Sequence, residues 1–230
     1  MNRLRRLLSR VGIGARVPSP PLAQVSKSEL AKYLPDNPVI IEAGAHTGVD
    51  TLELALQWPY GTIHAFEPVP ELFSQLERKT LGMPNVRLSK LALSDRSGPQ
   101  VLHLSGGASD GSSSLLAPDH HLEVHPDVLF DQRIEVNAVT LDEWWEREAA
   151  SSRVDFLWLD MQGIEPAVLR AAPKILSQVR LVHTEVSLIP VYKNSVLYPE
   201  FRGWMEEQGF VVAKEMLPFP DMGNVLFIRP

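Results

Sequence analysis

Acidic or imidazole side chains follow apolar, β-branched runs at five places along the chain: Glu42, Glu67, Asp95, Asp160 and the triplet His183-Thr184-Glu185. Carboxylates gathered on one rim suit two kinds of chemistry, attracting a cationic ligand and taking a proton from a nucleophile. After Glu42, the stretch Ala43-Gly44-Ala45-His46-Thr47-Gly48 supplies two glycines and small residues ahead of a helical pattern at Leu52, Leu54, Ala55 and Leu56. Such a turn brings backbone N–H groups and the positive end of a helix dipole close to a ligand. Glu67 stands 25 positions after Glu42, where an acid at the end of a second strand accepts hydrogen bonds from ribose hydroxyls. The glycine spacing is Gly-x-x-x-Gly, not the G-x-G-x-x-G that cradles a pyrophosphate. The expected ligand is therefore a nucleoside without a diphosphate, S-adenosylmethionine before NAD.

These residues need a parallel sheet to place them on one rim. Val39-Ile40-Ile41 after Pro38 predicts a strand buried on both faces, and Gly61 to Phe66 predicts a second. The spacing of Leu72, Phe73, Leu76 and Leu81 predicts a helix over 70–81, closed by Gly82-Met83-Pro84. Val86 to Leu93 reads as a third strand and Gln100 to Leu104 as another, joined by the turn Arg96-Ser97-Gly98. Residues 105–130 show little periodicity, hold Gly106-Gly107 and the serine-rich Gly111 to Ser114, and read as a lid. Asp119, His120, His121 and His125 in that stretch match no helical zinc spacing and read as a solvated loop. Arg133 to Val139 is a strand, and Thr140 caps a helix on which Trp144 and Trp145 point apart, one into the core and one partly exposed. Val154 to Asp160 is the fourth strand, Glu165 to Ala172 a helix, and Leu176 to Val186 a turn and the fifth strand. Residues 189–199, with Tyr192, Lys193 and Tyr198, form an insert over the site. A helix over 200–208 ends at Gly209 and leads to a terminal antiparallel hairpin, Phe210 to Glu215 with Asn224 to Ile228.

Six stretches in unbroken order from about residue 36 to 228 resemble the FkbM-type S-adenosylmethionine-dependent methyltransferases: EAGAHTG, AFEP, LALSDRSG, GSSSLL, VTLDEW and FLWLDMQGIEPAVLRAA followed by VHTEV. The resemblance implies an α/β, Rossmann-like class I methyltransferase fold, with a mostly parallel seven-stranded sheet, helices on both faces and one reversed strand. It implies S-adenosylmethionine as cofactor and a hydroxyl of a sugar, glycolipid or other small molecule as acceptor. It also places the serine-rich turn, Ser112, Ser113 and Ser114, near the reaction centre. Many relatives read Lys-x-Asp-x-Glu-Gly-x-Glu in strand four, whereas this chain has Trp158 and Gln162 in place of the cation and the anion. The two changes compensate in charge and point to an altered acceptor pocket that includes Gln162.

The sulfonium cofactor is a cation with an amino-acid tail, and roles follow from charge. Glu42 or Asp160 would meet its ammonium, Gly44, His46, Thr47 and Gly48 would border the tail, and Glu67 would hold the ribose. Asp95 or Ser94, at the end of strand three, would receive the adenine amine. Asp160, His183 and Glu185 are the candidates for the base that takes the acceptor's proton. His183 has the most suitable unperturbed pKa, and it shares a strand face with Glu185, two positions on. No metal is called for, although Asp160 and Glu185 would offer hard oxygen ligands.

Composition bounds the rest. The chain has 230 residues, 44% hydrophobic, and no cysteine, which excludes disulfides, Fe–S clusters and thiolate zinc sites. A net charge of −6 offers no basic face for nucleic acid. Residues 1–16 hold five arginines and no acid, and suit either a solvated start or a basic helix touching a membrane surface. They are too short in apolar content for a signal peptide, and a cytoplasmic enzyme is expected. A proline linker at 17–21 follows, so the expected organisation is an N-terminal extension over 1–26 and a catalytic domain over 27–230. A nicotinamide oxidoreductase and a non-catalytic cofactor-binding module are the alternatives to a methyltransferase.

Overall fold

The computed structural model describes residues 24–148 and 153–230; the arginine-rich segment and proline linker lie outside them. Helix α1 (Lys27–Leu30) is capped by Ser26, whose hydroxyl accepts the Glu29 N–H at 3.2 Å, as its Ser-x-x-Glu sequence dictates. Strand β1 (Val39–Ala43), helix α2 (Val49–Gln57), strand β2 (Thr62–Phe66), helix α3 (Pro70–Lys79) and strand β3 (Val86–Ser89) make the first two crossover units. Strands β7 (Phe156–Leu159) and β8 (Leu181–Ser187) flank helices α6 (Glu165–Arg170) and α7 (Pro173–Gln178). Helix α8 (Tyr198–Glu207) precedes β9 (Val211–Met216) and β10 (Met222–Ile228).

The seven strands lie in the order β3-β2-β1-β7-β8-β10-β9. Neighbours from β3 to β8 are parallel, while β10 runs antiparallel to both β8 and β9. This is the mostly parallel sheet with one reversed strand that the sequence implies. Strands covered on both faces need apolar residues at every position, and Phe156 to Leu159 are all buried. Ile41, Leu157 and Val182 face one helical layer, and Ile40, Phe156 and Leu181 face the other. Each such side chain stabilises the fold by about 1.5–3 kcal/mol relative to exposure.

Four features differ from the sequence expectations, the first being that Leu176, expected to open a turn into the fifth strand, lies on helix α7. Residues 86–93 do not form one strand: β3 stops at Ser89, and Ala92–Leu93 (β4) pairs instead with β6 (Val128–Val139). Together β4, β6 and β5 (Gly98–Gly107) form a second, three-stranded sheet. Apolar alternation marks strands but does not say which sheet each joins. Residues 105–130 are likewise not one long loop. They include the end of β5, the short helix α4 (His121–Val124) and the start of β6. On helix α5 (Leu141–Glu148) both tryptophans are buried, Trp144 at 5% and Trp145 at 6% exposure. Trp144 meets Phe66 edge to face at 4.8 Å between centroids, and both indoles sit against His64, at 5.0 and 6.3 Å. α5 also faces α7, whose first turn is capped by Asp142, the carboxylate accepting the Lys174 and Ile175 N–H groups at 2.9 Å. A helix held between two layers buries adjacent positions.

Candidate active site

At the carboxyl ends of β1, β2 and β7 lies a cavity of about 290 Å³. The chain leaves β1 through Gly44 and Gly48, both at φ +81, with His46 at φ +50 between them. A Cβ on Gly44 would stand 1.8 Å from the Asp160 carbonyl oxygen, so only glycine lets the loop pass over the end of β7. Gly48 opens α2 with no side-chain cap, leaving the first-turn N–H groups and the positive dipole end beside the cavity.

Glu67 at the end of β2 ties this loop down. Its Oε2 accepts the His46 N–H and its Oε1 the Val69 N–H, both at 2.8 Å, and the side chain borders the cavity. Burial raises its carboxyl above the usual range against those two bonds. Phe66, Leu72, Leu91, Leu93 and Leu102 give the adjoining wall an apolar surface. Across the mouth, His46 Nε2 lies 3.1 Å from Asp110 Oδ1, so the glycine loop meets the serine-rich loop.

Asp160 follows β7 and also lines the cavity. Its Oδ1 accepts the Gln162 Nε2–H at 2.8 Å, and the same amide nitrogen donates to Glu185 Oε2 at 2.9 Å. Behind them Glu165 accepts the Met161 N–H at 2.6 Å and the Gly163 N–H at 2.8 Å. Burial raises all three carboxyls, Glu165 to about 7; Glu185 goes well above the usual range because Asp160 and Glu165 add their negative charge to the burial. One oxygen from each lies within 4.8 Å of the others, an arrangement able to hold a hard divalent cation, although the Gln162 amide now bridges two of the three.

The structure brings together, around one cavity, Gly44, His46, Thr47, Glu67, Asp160, Ser113, Ser114 and Gln162. It sets the remaining candidates back from it. Gly48 turns behind the loop against Leu76. Ser94 is fully buried and bonds Asp95 and Gln100, and Asp95 turns to solvent beside Arg96. The wall expected of them is made by Leu91 to Leu93, because the chain has already turned into the second sheet. Ser112 contributes its N–H to Ser105 and its carbonyl to Tyr192, both within the protein. Glu42 is 1% exposed, beneath the glycine loop, and burial raises its carboxyl to about 8.

His183 and Glu185 do share a strand face, but His183 is one pleat deeper. Its ring stacks on Trp158 at 3.9 Å, neither nitrogen has a hydrogen-bond partner among the described residues, and burial lowers it to about 3. Trp158 does not border the cavity either: it carries the Lys27 ammonium 3.9 Å over its ring. The cation missing from β7 thus comes from α1, and the substitution at 158 belongs to the core, not to an acceptor pocket. Sequence reasoning passed over Asp50, Asp110 and Met161, which line the cavity, and Glu165 behind it; Tyr192, expected in an insert over the site, stands against Gln162 and Ser112. Glu165 was legible as the last acid of the strand-four motif; Asp50 and Asp110 carried no distinguishing signal.

The family model described as Methyltransferase FkbM domain matches residues 42–212. The 2-O-methyltransferase NoeI of Sinorhizobium fredii is 29% identical over 198 residues, 84% of this chain and 81% of that protein. The methyltransferase sdnD of Sordaria araneosa is 24% identical over 220 residues, 85% of this chain and 83% of its own length. Among solved structures, the Methanococcus jannaschii fibrillarin pre-rRNA processing protein superposes with a TM-score of 0.51 at 13% identity, over 95% of this chain and 86% of that one. The Streptococcus mutans protein SMU.1697c in complex with SAH gives 0.50 at 14% identity, over 91% of this chain and all of that one. At such identities the structural likeness establishes the class I methyltransferase fold.

Proposed function

The chain belongs to the FkbM methyltransferase family, and from that premise we propose that it transfers the methyl group of S-adenosylmethionine to a hydroxyl oxygen of a sugar, a glycolipid or another small-molecule acceptor. The observation that carries this is the meeting of the glycine loop, Glu67 and Asp160 around one cavity. The oxygen nucleophile is supported by the relative NoeI, named a 2-O-methyltransferase.

The residues fit the cofactor. An apolar wall of Phe66, Leu72, Leu91 and Leu93 suits an adenine, and the free lone pairs of Glu67 suit ribose hydroxyls. Thr47 and the uncapped first turn of α2 would receive the carboxylate of the amino-acid tail, while Asp50 and Asp160 favour its positive groups. Bound there, the sulfonium supplies an electrophilic methyl. The chain's own part is alignment and proton removal. Asp160 is the base of this proposal: one oxygen is held by Gln162, the other makes no hydrogen bond among the described residues, and burial makes the carboxylate more basic than an exposed one. Glu185, behind Gln162, and His183, in the core, do not reach the cavity. We assign the enzyme to the cytoplasm and its catalytic domain to residues 27–230, with no nucleic-acid partner.

The test is calorimetric titration with S-adenosylmethionine, S-adenosylhomocysteine and NAD, followed by transfer of a labelled methyl to a panel of hydroxylated glycans and small molecules, with amines as controls. The two adenosyl compounds should bind, NAD should not, and label should appear on oxygen. Binding of NAD alone would overturn the proposal, and cofactor binding without transfer to any acceptor would favour a non-catalytic module.

A further inference from the structure

Gln162 is 7% exposed and sits at φ +60, a left-handed conformation that costs a non-glycine residue of order 1–3 kcal/mol. Its side-chain amide makes three hydrogen bonds inside the protein. Both amide hydrogens go to carboxylates, Asp160 Oδ1 at 2.8 Å and Glu185 Oε2 at 2.9 Å, which orients Oε1 toward the Tyr192 hydroxyl at 2.9 Å. Its carbonyl accepts the Ser114 hydroxyl at 2.8 Å. Tyr192, 1% exposed, is itself 2.8 Å from the Ser112 carbonyl. A phenol has one proton, and both of these neighbours are acceptors, so Tyr192 serves either the serine-rich loop or Gln162 at any moment. The tyrosine is held in place from behind: Pro118 bridges to it in strand fashion, Lys193 donates its N–H to Ala117 at 2.9 Å, and the rings of His121 and Phe130 lie at 5.4 and 6.4 Å. A Cβ on Gly163 would stand 3.2 Å from the Tyr192 ring, so the turn after Gln162 is shaped to admit it.

We propose that Gln162 and Tyr192 are positioning residues that couple closure of the serine-rich loop, residues 108–116, to the orientation of Asp160. Two hydrogen-bond routes lead from the loop to Gln162, Ser112 by way of the Tyr192 hydroxyl and Ser114 by way of the Gln162 backbone carbonyl, and the Gln162 side-chain amide holds Asp160; a separate contact, Asp110 with His46, leads to the glycine loop. An acceptor that displaces the loop releases the phenol proton to Gln162, which steadies the amide on Asp160. The role of Asp160 in this coupling rests on the function proposed above; the coupling itself does not.

The variants that test it are Tyr192→Phe, which keeps the ring among His121 and Phe130, and Gln162→Glu, which keeps the shape and exchanges two N–H donors for an ionisable oxygen. Hydrogen exchange of residues 108–116 is read without cofactor, each variant against wild type at the same pH. Tyr192→Phe should speed exchange there about two- to tenfold, the equivalent of one net hydrogen bond. Gln162→Glu leaves the Ser114 contact to the backbone intact, so a purely local role predicts no change in the loop. Coupling predicts faster exchange there as well, because a carboxyl at 162 lacks the two N–H donors that hold Asp160 and Glu185. Tyr192 does not line the cavity, so coupling also predicts weaker S-adenosylmethionine binding in Tyr192→Phe, which a purely local role would leave unchanged. Exchange of residues 108–116 unchanged in Gln162→Glu, or S-adenosylmethionine affinity unchanged in Tyr192→Phe, would overturn the coupling. If Gln162→Glu does not fold, the affinity of Tyr192→Phe decides. Failure of the wild-type protein to bind S-adenosylmethionine would sink the proposed function while leaving the exchange result to stand.

Discussion

Both oxygens of Glu67 accept backbone N–H groups, one from the glycine loop and one from the turn after β2, before any ligand arrives. The sequence alone suggests that losing this residue weakens cofactor binding without unfolding the domain. The structure adds a cost in stability to that expectation. Glu67→Ala should lower S-adenosylmethionine affinity by roughly ten- to a hundredfold, since hydrogen bonds to a charged group contribute about 1.5–3 kcal/mol each. It should also lower the thermal midpoint, because two N–H groups lose their acceptor; calorimetry and thermal unfolding read the two effects separately. Glu42 makes a different prediction. Burial holds its carboxyl at about 8 in the folded protein against 4.5 when exposed, so between those values the folded state binds the extra proton and stability falls as pH rises. Glu42→Gln should match wild type near pH 4.5 and exceed it by a growing margin up to pH 8.5 in urea midpoints. Full titration corresponds to roughly 4–5 kcal/mol as an upper figure. A margin independent of pH would mean that Glu42 is already ionised in the folded state. Residue types and strand ends made Glu67 and Asp160 legible as rim groups. Period-two alternation also assigned His183 its face, but alternation carries no depth, and one pleat separates a rim position from the core beside Trp158.

Helix α1 is four residues long and lies outside the matched family region, yet its Lys27 reaches an acid that lines the cavity. Lys27, 9% exposed, pairs with Asp50, meets Glu53 at 3.2 Å and stands over the Trp158 indole. Asp50 in turn lines the cavity from the first turn of α2. Lys27→Met fills the same space without the charge and leaves Asp50 facing Glu42. Because Asp50 and Glu53 keep partial exposure, the expected loss is about 1–3 kcal/mol, less than for a fully buried pair. Chemical denaturation checks it, and a variant as stable as wild type would show that the pair contributes nothing net. The elements that were hardest to read are the ones that join sheets. Residues 86–93 look like one strand because their apolar pattern continues, while the chain changes sheet after Ser89 and thereby puts Leu91 and Leu93, not Asp95, on the cavity wall.

For the molecule as a whole, charge and fold point in different directions. Its fold is like that of the fibrillarin pre-rRNA processing protein, but a fold does not carry a substrate with it, and a net charge of −6 gives phosphates no general attraction. Fluorescence anisotropy at about 50 mM salt should detect no tight RNA binding; a tight complex that weakens steeply with added salt would contradict this. Among the described residues no helix is long and apolar enough to cross a membrane. The sequence by itself determined the class of the fold, the order along the chain of the strands of the seven-stranded sheet, and the identity of the family. These depend on local runs, turns and spacing, which are written in neighbouring residues. Tertiary structure alone decided which strands formed the second sheet, that Lys27 stands over Trp158, and that Gln162 turns inward to join Asp160, Glu185 and Tyr192. Those outcomes depend on contacts between residues far apart in the chain, and on burial depth, which neither hydrophobic periodicity nor residue type encodes.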